Sequence, residues 1–394
     1  MTLTRNVILI AIFSLLLAAF FGLNVSTHPA SDNDRSRLMG AISIVRFNKL
    51  EINDIDYMDS GDKVFYKGKY YSSKPPLLHV FAGLLTKYAF AIKPQLYAND
   101  VAIYRFATFV TTVVPLVFLF GIFALLISRL KRNPYIYVFS ALFLVFGTLV
   151  FSYSRHLNNH IIVAIVQLFI FAMLFKKQLI AKHYLFLGVC MSLAFALDVT
   201  YGFVLIPVTV LYLFVKHRPS LRETLFLLLG LCIFSTIHFS LSYWQFGSII
   251  PPQMRPEVYL AYPGSKWINP SSGIEALNHP LLVRIFNYSI GTHGLFLYQP
   301  LLILPLFVKR NWQSSQWVYV CVLFLGYLLF NSIMQPNYGG SAFGPRRYIP
   351  LIPMFYYFFV VNWVNLKPSL YHKVLISLLV LITLCISVIG YTNP

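Results

Sequence analysis

Long charge-free apolar runs recur along the whole sequence, separated by polar segments of unequal length. An α-helix needs roughly 20 apolar residues to cross a bilayer. The runs predict about eleven membrane-spanning helices, near 6–24, 102–128, 135–152, 160–175, 183–197, 199–215, 225–243, 294–308, 317–334, 348–365 and 374–390. The expected fold class is therefore an all-α polytopic membrane protein. Residues 183–215 are predicted to form two short helices that turn at Asp198, because one helix of that length would overshoot the bilayer.

Charge divides the connecting segments into two sets. On one side the loops are short and basic, and they carry 14 Lys and Arg residues against one acid, Glu223. Such loops are typically cytoplasmic, so the N-terminus is predicted to be cytoplasmic in a multi-pass plasma (inner) membrane protein. The other side holds 11 of the 12 acids, mainly in a first outer loop at 25–101 and a second at 244–293. The polar chemistry is therefore predicted on the outer, periplasmic face.

Composition agrees with this arrangement. Hydrophobic residues fill 58% of the 394 positions and charged residues 11%, which is more apolar surface than one soluble core buries. The net charge of +19 is spread over loops that flank the membrane, so no nucleic-acid partner is expected. The four cysteines stand singly inside apolar runs, without metal or disulfide spacing. The chain is predicted to be one transmembrane domain, 1–394, without a C-terminal soluble domain.

The first outer loop gathers acids and two amphipathic segments. Seven of the 12 acids lie between positions 32 and 62. Apolar residues in 36–50 and 77–90 have helical spacing, so both segments are predicted to form helices that lie along the membrane interface. Asp34 is placed just before the first helix and Lys74 just before the second, at the depth of a lipid-linked phosphate.

An ordered set of motifs resembles a known enzyme family. The motifs are Asn33-Asp34-Arg35-Ser36-Arg37, Asp62-Lys63, Gly68-Lys69-Tyr70-Tyr71-Ser72-Ser73-Lys74-Pro75-Pro76, Asn159-His160, Phe246-Gly247-Ser248, Gly294-Leu295-Phe296 and Tyr338-Gly339-Gly340-Ser341-Ala342-Phe343-Gly344-Pro345-Arg346-Arg347-Tyr348. In this order they resemble the GT-C glycosyltransferases, and more narrowly glycosyltransferase family 39, the protein-mannosyltransferase and aminoarabinose-transferase branch. Two features depart from that pattern. Tyr338 stands where Trp is usual, and the soluble C-terminal domain of many relatives is not expected here, which leaves acceptor recognition open.

The resemblance implies a membrane glycosyltransferase with a GT-C-type bundle. A sugar would move from a polyprenyl-phosphate donor to a lipid, polysaccharide or protein acceptor, in one inverting displacement with Asp34 as general base. The other residues implied in the site bind substrate or phosphate: Arg37, Lys74, Arg346, Arg347, Tyr70, Tyr71, His160, Gly339 and Gly340. Lys74 and the pair Arg346-Arg347 would meet the phosphate, whereas Arg37 would either steady the Asp34 carboxylate or meet the phosphate. The tyrosines would stack on the sugar, and the glycines would let the backbone approach the ligand.

Other interpretations of these residues stay open. The acids also suit a solvated face, and Lys74 also suits a helix entry at the interface. Asp32 and Asp34 offer hard oxygens to a divalent cation, whereas His156 and His160 have metal-like spacing without a third ligand. The sequence demands no cofactor.

Three rival functions remain. They are a multi-span transporter or flippase of a lipid-linked or small polar substrate, a polysaccharide polymerase or ligase, and a non-catalytic protein that binds lipid carriers. Transporters place ionisable residues inside their spans. The nearly charge-free spans of this chain disfavour transport.

Overall fold

Helices make up nearly all of the fold. The computed structural model describes residues 2–55, 60–130, 134–259, 265, 276, 278–340, 342–365 and 369–394. In chain order the α-helices are α1 (Thr2–Leu23), α2 (Asp32–Phe47), α3 (Pro76–Phe90), α4 (Asp100–Thr108), α5 (Val114–Ser128), α6 (Pro134–Phe146), α7 (Leu149–Ser152), α8 (His160–Met173), α9 (Ala181–Leu197), α10 (Val199–His217), α11 (Leu221–Phe246), α12 (Pro256–Tyr259), α13 (Leu281–Ser289), α14 (Leu295–Tyr298), α15 (Ser315–Met334), α16 (Ile352–Asn365) and α17 (Leu370–Thr392).

Shorter elements connect these helices. Strands β1 (Lys63–Tyr66) and β2 (Lys69–Ser72) form an antiparallel hairpin between α2 and α3. A π-helical turn, Phe109–Val113, joins α4 to α5 into one continuous helix. The 3₁₀ segments are Pro94–Ala98, Pro252–Met254, Pro300–Phe307, Lys309–Gln313 and Arg346–Leu351.

Five helices among the described residues are long and apolar enough to cross a membrane. They are the continuous helix Asp100–Ser128, α10, α11, α15 and α17. Shorter apolar helices at α1, α6, α8 and α9 accompany them. In a bilayer, helices satisfy their own backbone hydrogen bonds where no water is present to do so. The predicted all-α polytopic membrane fold is confirmed.

Asp198 separates α9 from α10, as the sequence predicts. Its backbone is extended, and its carboxylate caps α10 by accepting hydrogen bonds from the Tyr201 N–H (3.1 Å) and the Thr200 hydroxyl (2.7 Å). A side-chain cap of this kind satisfies a backbone donor that the helix itself cannot. Residues 183–215 therefore form two short helices.

Two predicted spans are interrupted. The span 135–152 divides into α6 and α7 at Gly147-Thr148, where Thr148 is extended and accepts a hydrogen bond from the Val150 N–H (3.3 Å). The span 294–308 is α14 followed by a 3₁₀ segment, and a single α-helix was the wrong expectation. Pro300 and Pro305 lack the N–H that an α-helix uses and favour the tighter turns.

The helices predicted in the first outer loop are α2 and α3. They approach closely because glycines stand at the contact: a Cβ on Gly40 would lie 2.6 Å from the His79 ring, and one on Gly83 would lie 2.9 Å from the Ile44 Cβ. The hairpin between them is not apparent from the sequence pattern. The placement of both helices along the membrane interface stays a prediction.

A hydrophobic cluster fixes α2 against α4. Leu38, Ile42 and Val45 on α2 are buried together with Tyr104 and Ala107 on α4. Burying each large apolar side chain contributes about 1.5–3 kcal/mol. The N-terminal turn of α2 is thereby held beside Tyr104.

Helices α9 and α11 cross at two glycines. A Cβ on Gly188 would lie 2.3 Å from the Leu227 carbonyl oxygen, and a Cβ on Gly230 would lie 2.3 Å from the Leu185 carbonyl oxygen. Small residues allow membrane helices to approach backbone to backbone. Any larger residue at either position forces the two helices apart.

We therefore expect Gly230→Ala to destabilise the bundle by about 1–3 kcal/mol. The measurement is the thermal unfolding temperature of the purified protein in detergent. Gly121→Ala is the matched control, because among the described residues its new Cβ would meet only Ile10, at 3.9 Å. Equal unfolding temperatures for the two variants would contradict the close crossing of α9 and α11.

Candidate active site

A small cleft forms where four parts of the chain that are distant in sequence meet. These parts are the start of α2, the loop from α7 into α8, the loop that leads to α16, and Pro394, which follows α17. Four of the residues predicted for the site line this cleft together: Asp34, Arg37, His160 and Arg346. The fold thus places one side-chain carboxylate and two guanidinium groups around a shared cavity.

The sequence predicted that Asp34 stands just before the first helix of the outer loop. In the structure it lies within the first turn of α2. Ser31 takes the N-cap position, and its side chain accepts a hydrogen bond from the Asp34 N–H at 3.4 Å. The Asp34 carboxylate is buried, with 5% of the residue exposed. Its Oδ2 accepts hydrogen bonds from the Ala30 N–H (3.2 Å) and the Tyr104 hydroxyl (3.4 Å). The carboxylate therefore faces the cleft wall and not open solvent.

Burial sets the acidity of Asp34. Removal from water raises the pKa of its carboxyl from 3.8 to about 6, although Arg37, the Ala30 N–H, Arg346 and Tyr104 each oppose the rise. A carboxyl with a pKa near neutrality is a better proton acceptor than an ordinary one and is still ionised at pH 7. The site can therefore take up a proton under physiological conditions.

Arg37 is held by a chain of amide and carboxylate groups. One of its nitrogens donates to the Asn159 Oδ1 at 2.7 Å, and the Asn159 amide donates to the Leu197 carbonyl (2.9 Å) and to the Asp198 carboxylate (3.3 Å). Burial lowers the pKa of Arg37 to about 10, so it stays charged at neutral pH. The network fixes a cation one helical turn from Asp34.

Lys74 forms a buried ion pair with Asp62. Its Nζ lies 2.9 Å from the Asp62 Oδ2. Burial lowers the pKa of Lys74, and Asp62 opposes that shift. Burial alone would raise the pKa of Asp62, but Lys74 holds it below its ordinary value. Lys74 is not among the described residues that line the cleft, and its proposed contact with phosphate stays a prediction.

Arg346 and Arg347 have different surroundings. Arg346 lines the cleft. Arg347 donates to the Tyr288 hydroxyl (3.2 Å), the Asn337 carbonyl (2.9 Å) and the Asn337 Oδ1 (3.1 Å). These bonds tie Arg347 to the neighbouring outer segments, so the structure places only the first arginine at the cavity. A phosphate contact for Arg347 stays a prediction.

Glycines shape the loop that carries Arg346. Gly339, Gly340 and Gly344 have φ angles of +133°, +68° and +64°, which residues with a side chain rarely adopt. A Cβ on Gly344 would also lie 2.8 Å from the Tyr298 ring, whereas the space beside Gly339 and Gly340 is open among the described residues. The loop thus depends on glycine for its path, and the approach of a ligand to Gly339 and Gly340 stays a prediction.

Histidines and a tyrosine complete the cleft. His160 Nδ1 lies 3.8 Å from the Asp198 Oδ2, and His156 Nδ1 lies 3.6 Å from the Asp34 Oδ2. Tyr153 donates its hydroxyl to the Phe343 carbonyl at 2.6 Å. Sequence reasoning missed Tyr153 and gave His156 no role beyond a metal-like spacing with His160.

The other predicted residues lie outside this cavity. Asp32 pairs with Arg35 at 3.9 Å, and its carboxylate accepts from the Gly61 N–H at 3.3 Å. Among the described residues, no group of three His, Cys, Asp or Glu side chains is arranged to hold a metal ion. The described residues therefore provide no third protein ligand for a divalent cation at Asp32 and Asp34.

Tyr70 and Tyr71 belong to strand β2. The Tyr70 ring packs on Phe65 with 4.8 Å between centroids, and the Tyr71 ring meets Phe246 edge-on at 5.7 Å. Neither tyrosine is among the described residues that line the cleft. Stacking of these rings on a sugar stays a prediction.

The chain is similar to known proteins in its structure but not detectably in its sequence. No family model matches the sequence, and no curated protein matches it. The structure resembles ArnT from Cupriavidus metallidurans bound to undecaprenyl phosphate, with a TM-score of 0.54 and 14% identity over 95% of this chain and 63% of that chain. ArnT in the apo state gives a TM-score of 0.56 and 14% identity, over 96% and 63%. This chain thus spans less than two thirds of the length of ArnT.

These matches define the class of fold. The chain shares the fold of ArnT over nearly its whole length, which agrees with the predicted GT-C-type helical bundle. The TM-score of 0.54 shows a likeness of fold, but at 14% identity it does not show the reaction, because one fold hosts several chemistries. Membership of glycosyltransferase family 39 stays a prediction.

Proposed function

We propose that this protein is a membrane glycosyltransferase that moves a sugar from a polyprenyl-phosphate donor to an acceptor hydroxyl. The observation that carries the proposal is the buried Asp34 carboxylate in one cleft with Arg37 and Arg346. Sugar transfer from a lipid phosphate needs a base for the acceptor and cations for the departing phosphate. The GT-C fold supports the donor class, since ArnT of the same fold is seen bound to undecaprenyl phosphate.

The reaction is a single displacement. The acceptor oxygen attacks C1 of the sugar from the face opposite the phosphate while Asp34 takes the hydroxyl proton. The bond between C1 and the phosphate oxygen breaks, and polyprenyl phosphate leaves with the bonding electrons. The anomeric configuration inverts, and the proton on Asp34 then passes to solvent.

Cations around the cleft stabilise the leaving phosphate. Arg346 contacts it directly, and a guanidinium can bind two phosphate oxygens at once. Arg37, fixed through Asn159, adds a second positive charge. Lys74 would be a third contact of the phosphate, and in this structure its charge is balanced by Asp62. Charge that is already in place costs no reorganisation as the phosphate departs.

The reaction takes place on the outer face of the membrane. The distribution of basic and acidic loops supports a cytoplasmic N-terminus in the inner membrane and a periplasmic site. Each loop segment of the cleft lies in, or next to, one of the loops on the acidic side of the membrane. The acceptor is a glycan, lipid or protein exposed there.

The rate of transfer should fall in acid. Asp34 must be ionised to accept a proton, and burial raises its pKa to about 6. At saturating donor, the rate is expected to be level above about pH 7 and to drop roughly tenfold per pH unit below about pH 5.5. Initial rates measured across this range test the assignment. A rate that stays constant well below pH 5 would contradict a base with a raised pKa.

Mass spectrometry of cell-surface glycans and glycolipids tests the function itself. Cells that lack the gene should lose one sugar from one class of acceptor, and the intact gene should restore it. The missing sugar and its carrier would name donor and acceptor together. Unchanged glycans, combined with substrate uptake into sealed vesicles that contain the protein, would reject the proposal in favour of transport.

A further inference from the structure

The two oxygens of the Asp34 carboxylate are not equivalent. Oδ2 lies against three groups of the protein: the Ala30 N–H at 3.2 Å, the Tyr104 hydroxyl at 3.4 Å and the His156 Nδ1 at 3.6 Å. No hydrogen bond from the described residues reaches Oδ1. One oxygen is thus occupied by the protein, and the other is available to a substrate.

Tyr104 and His156 form a connected pair behind this carboxylate. The Tyr104 hydroxyl lies 3.4 Å from the His156 Nδ1 as well as 3.4 Å from the Asp34 Oδ2. A hydroxyl has one proton and two lone pairs. Tyr104 can therefore accept a hydrogen bond from a protonated Nδ1 and donate its own proton to Oδ2.

The surroundings of His156 favour that tautomer. Its Nε2 is buried and makes no hydrogen bond to any described residue, and an unpaired lone pair is easier to bury than an unpaired N–H. Burial, together with a smaller contribution from the charge of Arg155, lowers the pKa of His156 to about 4. The ring is therefore neutral near pH 7, with its single proton on Nδ1 and directed at Tyr104.

We infer that Tyr104, oriented by His156, holds Oδ2 of Asp34 and thereby makes Oδ1 the oxygen that accepts the proton from the acceptor hydroxyl. This inference rests on the proposed transferase function and adds two positioning residues to it. Tyr104 acts through the carboxylate of Asp34, and His156, although it lines the cleft, acts on that carboxylate through Tyr104. A base held by one oxygen presents the other in a fixed direction, and such orientation is a large part of catalysis.

Other charged groups also face this carboxylate. Arg37 on the same helix and Arg346 on the loop before α16 lower the pKa of Asp34, whereas burial raises it. Arg155 faces His156 from its own loop. Tyr153 lines the same cleft, but its hydroxyl donates to the Phe343 carbonyl. Tyr153 therefore offers a matched control for Tyr104.

The test is an infrared titration of the Asp34 carboxyl in the purified protein, with Asp34→Asn used to assign the band. A donor to a carboxylate stabilises its ionised form, so Tyr104→Phe should move the titration midpoint upward by roughly 0.5 to 1 pH unit. Tyr153→Phe should leave the midpoint in place. An unmoved midpoint in Tyr104→Phe, or an equal shift in both variants, would overturn the inference.

Two substitutions at His156 separate orientation from packing. Asn places an amide N–H near the position of Nδ1, so His156→Asn should keep the wild-type midpoint, whereas His156→Leu should shift it upward. Equal midpoints for the two variants would contradict the role of Nδ1. Tyr104→Phe keeps the shape of the ring and tests the inference even where His156→Leu does not fold.

Kinetics connect the titration to the reaction. Tyr104→Phe should lower kcat by roughly 10-fold, with the KM for donor unchanged, and should move the acidic limb of the rate profile by the same amount as the infrared midpoint. The infrared result does not require turnover. If Tyr104→Phe shifts the midpoint but the protein transfers no sugar, only the proposed function is contradicted. If the protein transfers sugar fully and Tyr104→Phe leaves the midpoint unshifted, only the positioning role is contradicted.

Discussion

Asp34→Asn is expected to abolish most sugar transfer while leaving the protein folded. The amide has nearly the same shape as the carboxylate, but it cannot take the proton of the acceptor hydroxyl. Loss of a general base typically slows a reaction by about 10²–10⁴-fold, and we expect a loss of about 10³-fold in kcat. The measurement is transfer by purified protein that is supplied with a polyprenyl-phosphate sugar.

Thermal stability separates this loss from misfolding. Because burial raises the folded-state pKa of Asp34 from 3.8 to about 6, the ionised carboxylate destabilises the folded protein above about pH 6, and this cost is absent below pH 3.8. Asn carries no such cost, so the variant should unfold at the same or a higher temperature at pH 8. Transfer at the wild-type rate would remove Asp34 from the mechanism.

Asp32→Asn serves as the neighbouring control. The Asp32 side chain is 38% exposed and pairs with Arg35, so its removal is expected to change transfer little. A loss as large as that of Asp34→Asn would indicate that the two carboxylates share a task, such as binding a divalent cation. Restoration by added Mg²⁺ or Mn²⁺ would then identify that task.

Arg346→Ala is expected to have the second largest effect. Arg346 lines the cleft with Asp34, where it would meet the charge that develops on the departing phosphate. Removal of one such group usually costs about 10²–10³-fold in rate, and the KM for the donor should rise as well. Arg346→Lys should recover part of the loss, because Lys keeps the charge but not the two-pronged contact.

Arg347 provides the comparison at the adjacent position. Its guanidinium bonds to Tyr288 and Asn337, so Arg347→Lys should lower the unfolding temperature with little change in the affinity for polyprenyl phosphate. Affinity is measured by titration of the lipid phosphate into detergent-solubilised protein. Weaker binding in Arg347→Lys than in Arg346→Lys would reverse the roles given to the two arginines.

Hydropathy predicted the helical spans well where a polar residue stands at the end of a helix. Asp198 stands alone between two apolar runs, and it caps α10 as a short polar side chain at a helix start commonly does. Gly147-Thr148 and Pro300 interrupt apolar runs without lowering their hydropathy, so the breaks there escaped prediction. Such breaks depend on backbone conformation, which an average over apolar residues does not detect.

The sequence predicted only part of the candidate site. The order of motifs placed Asp34 and Arg346 in one site, although they lie near opposite ends of the chain, and the structure brings both to one cleft. Tyr104 lies in an apolar helix and is indistinguishable there from a core aromatic residue. Its contact with Asp34 arises only because α2 packs on α4.

The surroundings of the two hairpin tyrosines could not be predicted from the sequence. Tyr70 and Tyr71 sit in a motif that resembles the family, which suggested a sugar platform. In the structure they pack on Phe65 and Phe246, and alternation along a strand sends neighbouring side chains to opposite faces. The motif alone did not indicate this strand, because a single short hairpin carries little sequence signal.

A single-turnover experiment with a labelled polyprenyl-phosphate sugar tests the central claim most directly. Purified wild-type protein and a surface-glycan acceptor should yield one polyprenyl phosphate for each new glycosidic bond, with inverted anomeric configuration, and Asp34→Asn should yield neither product. Binding of the donor without bond cleavage in the wild type, or a product with retained configuration, would contradict direct displacement by an acceptor that Asp34 deprotonates.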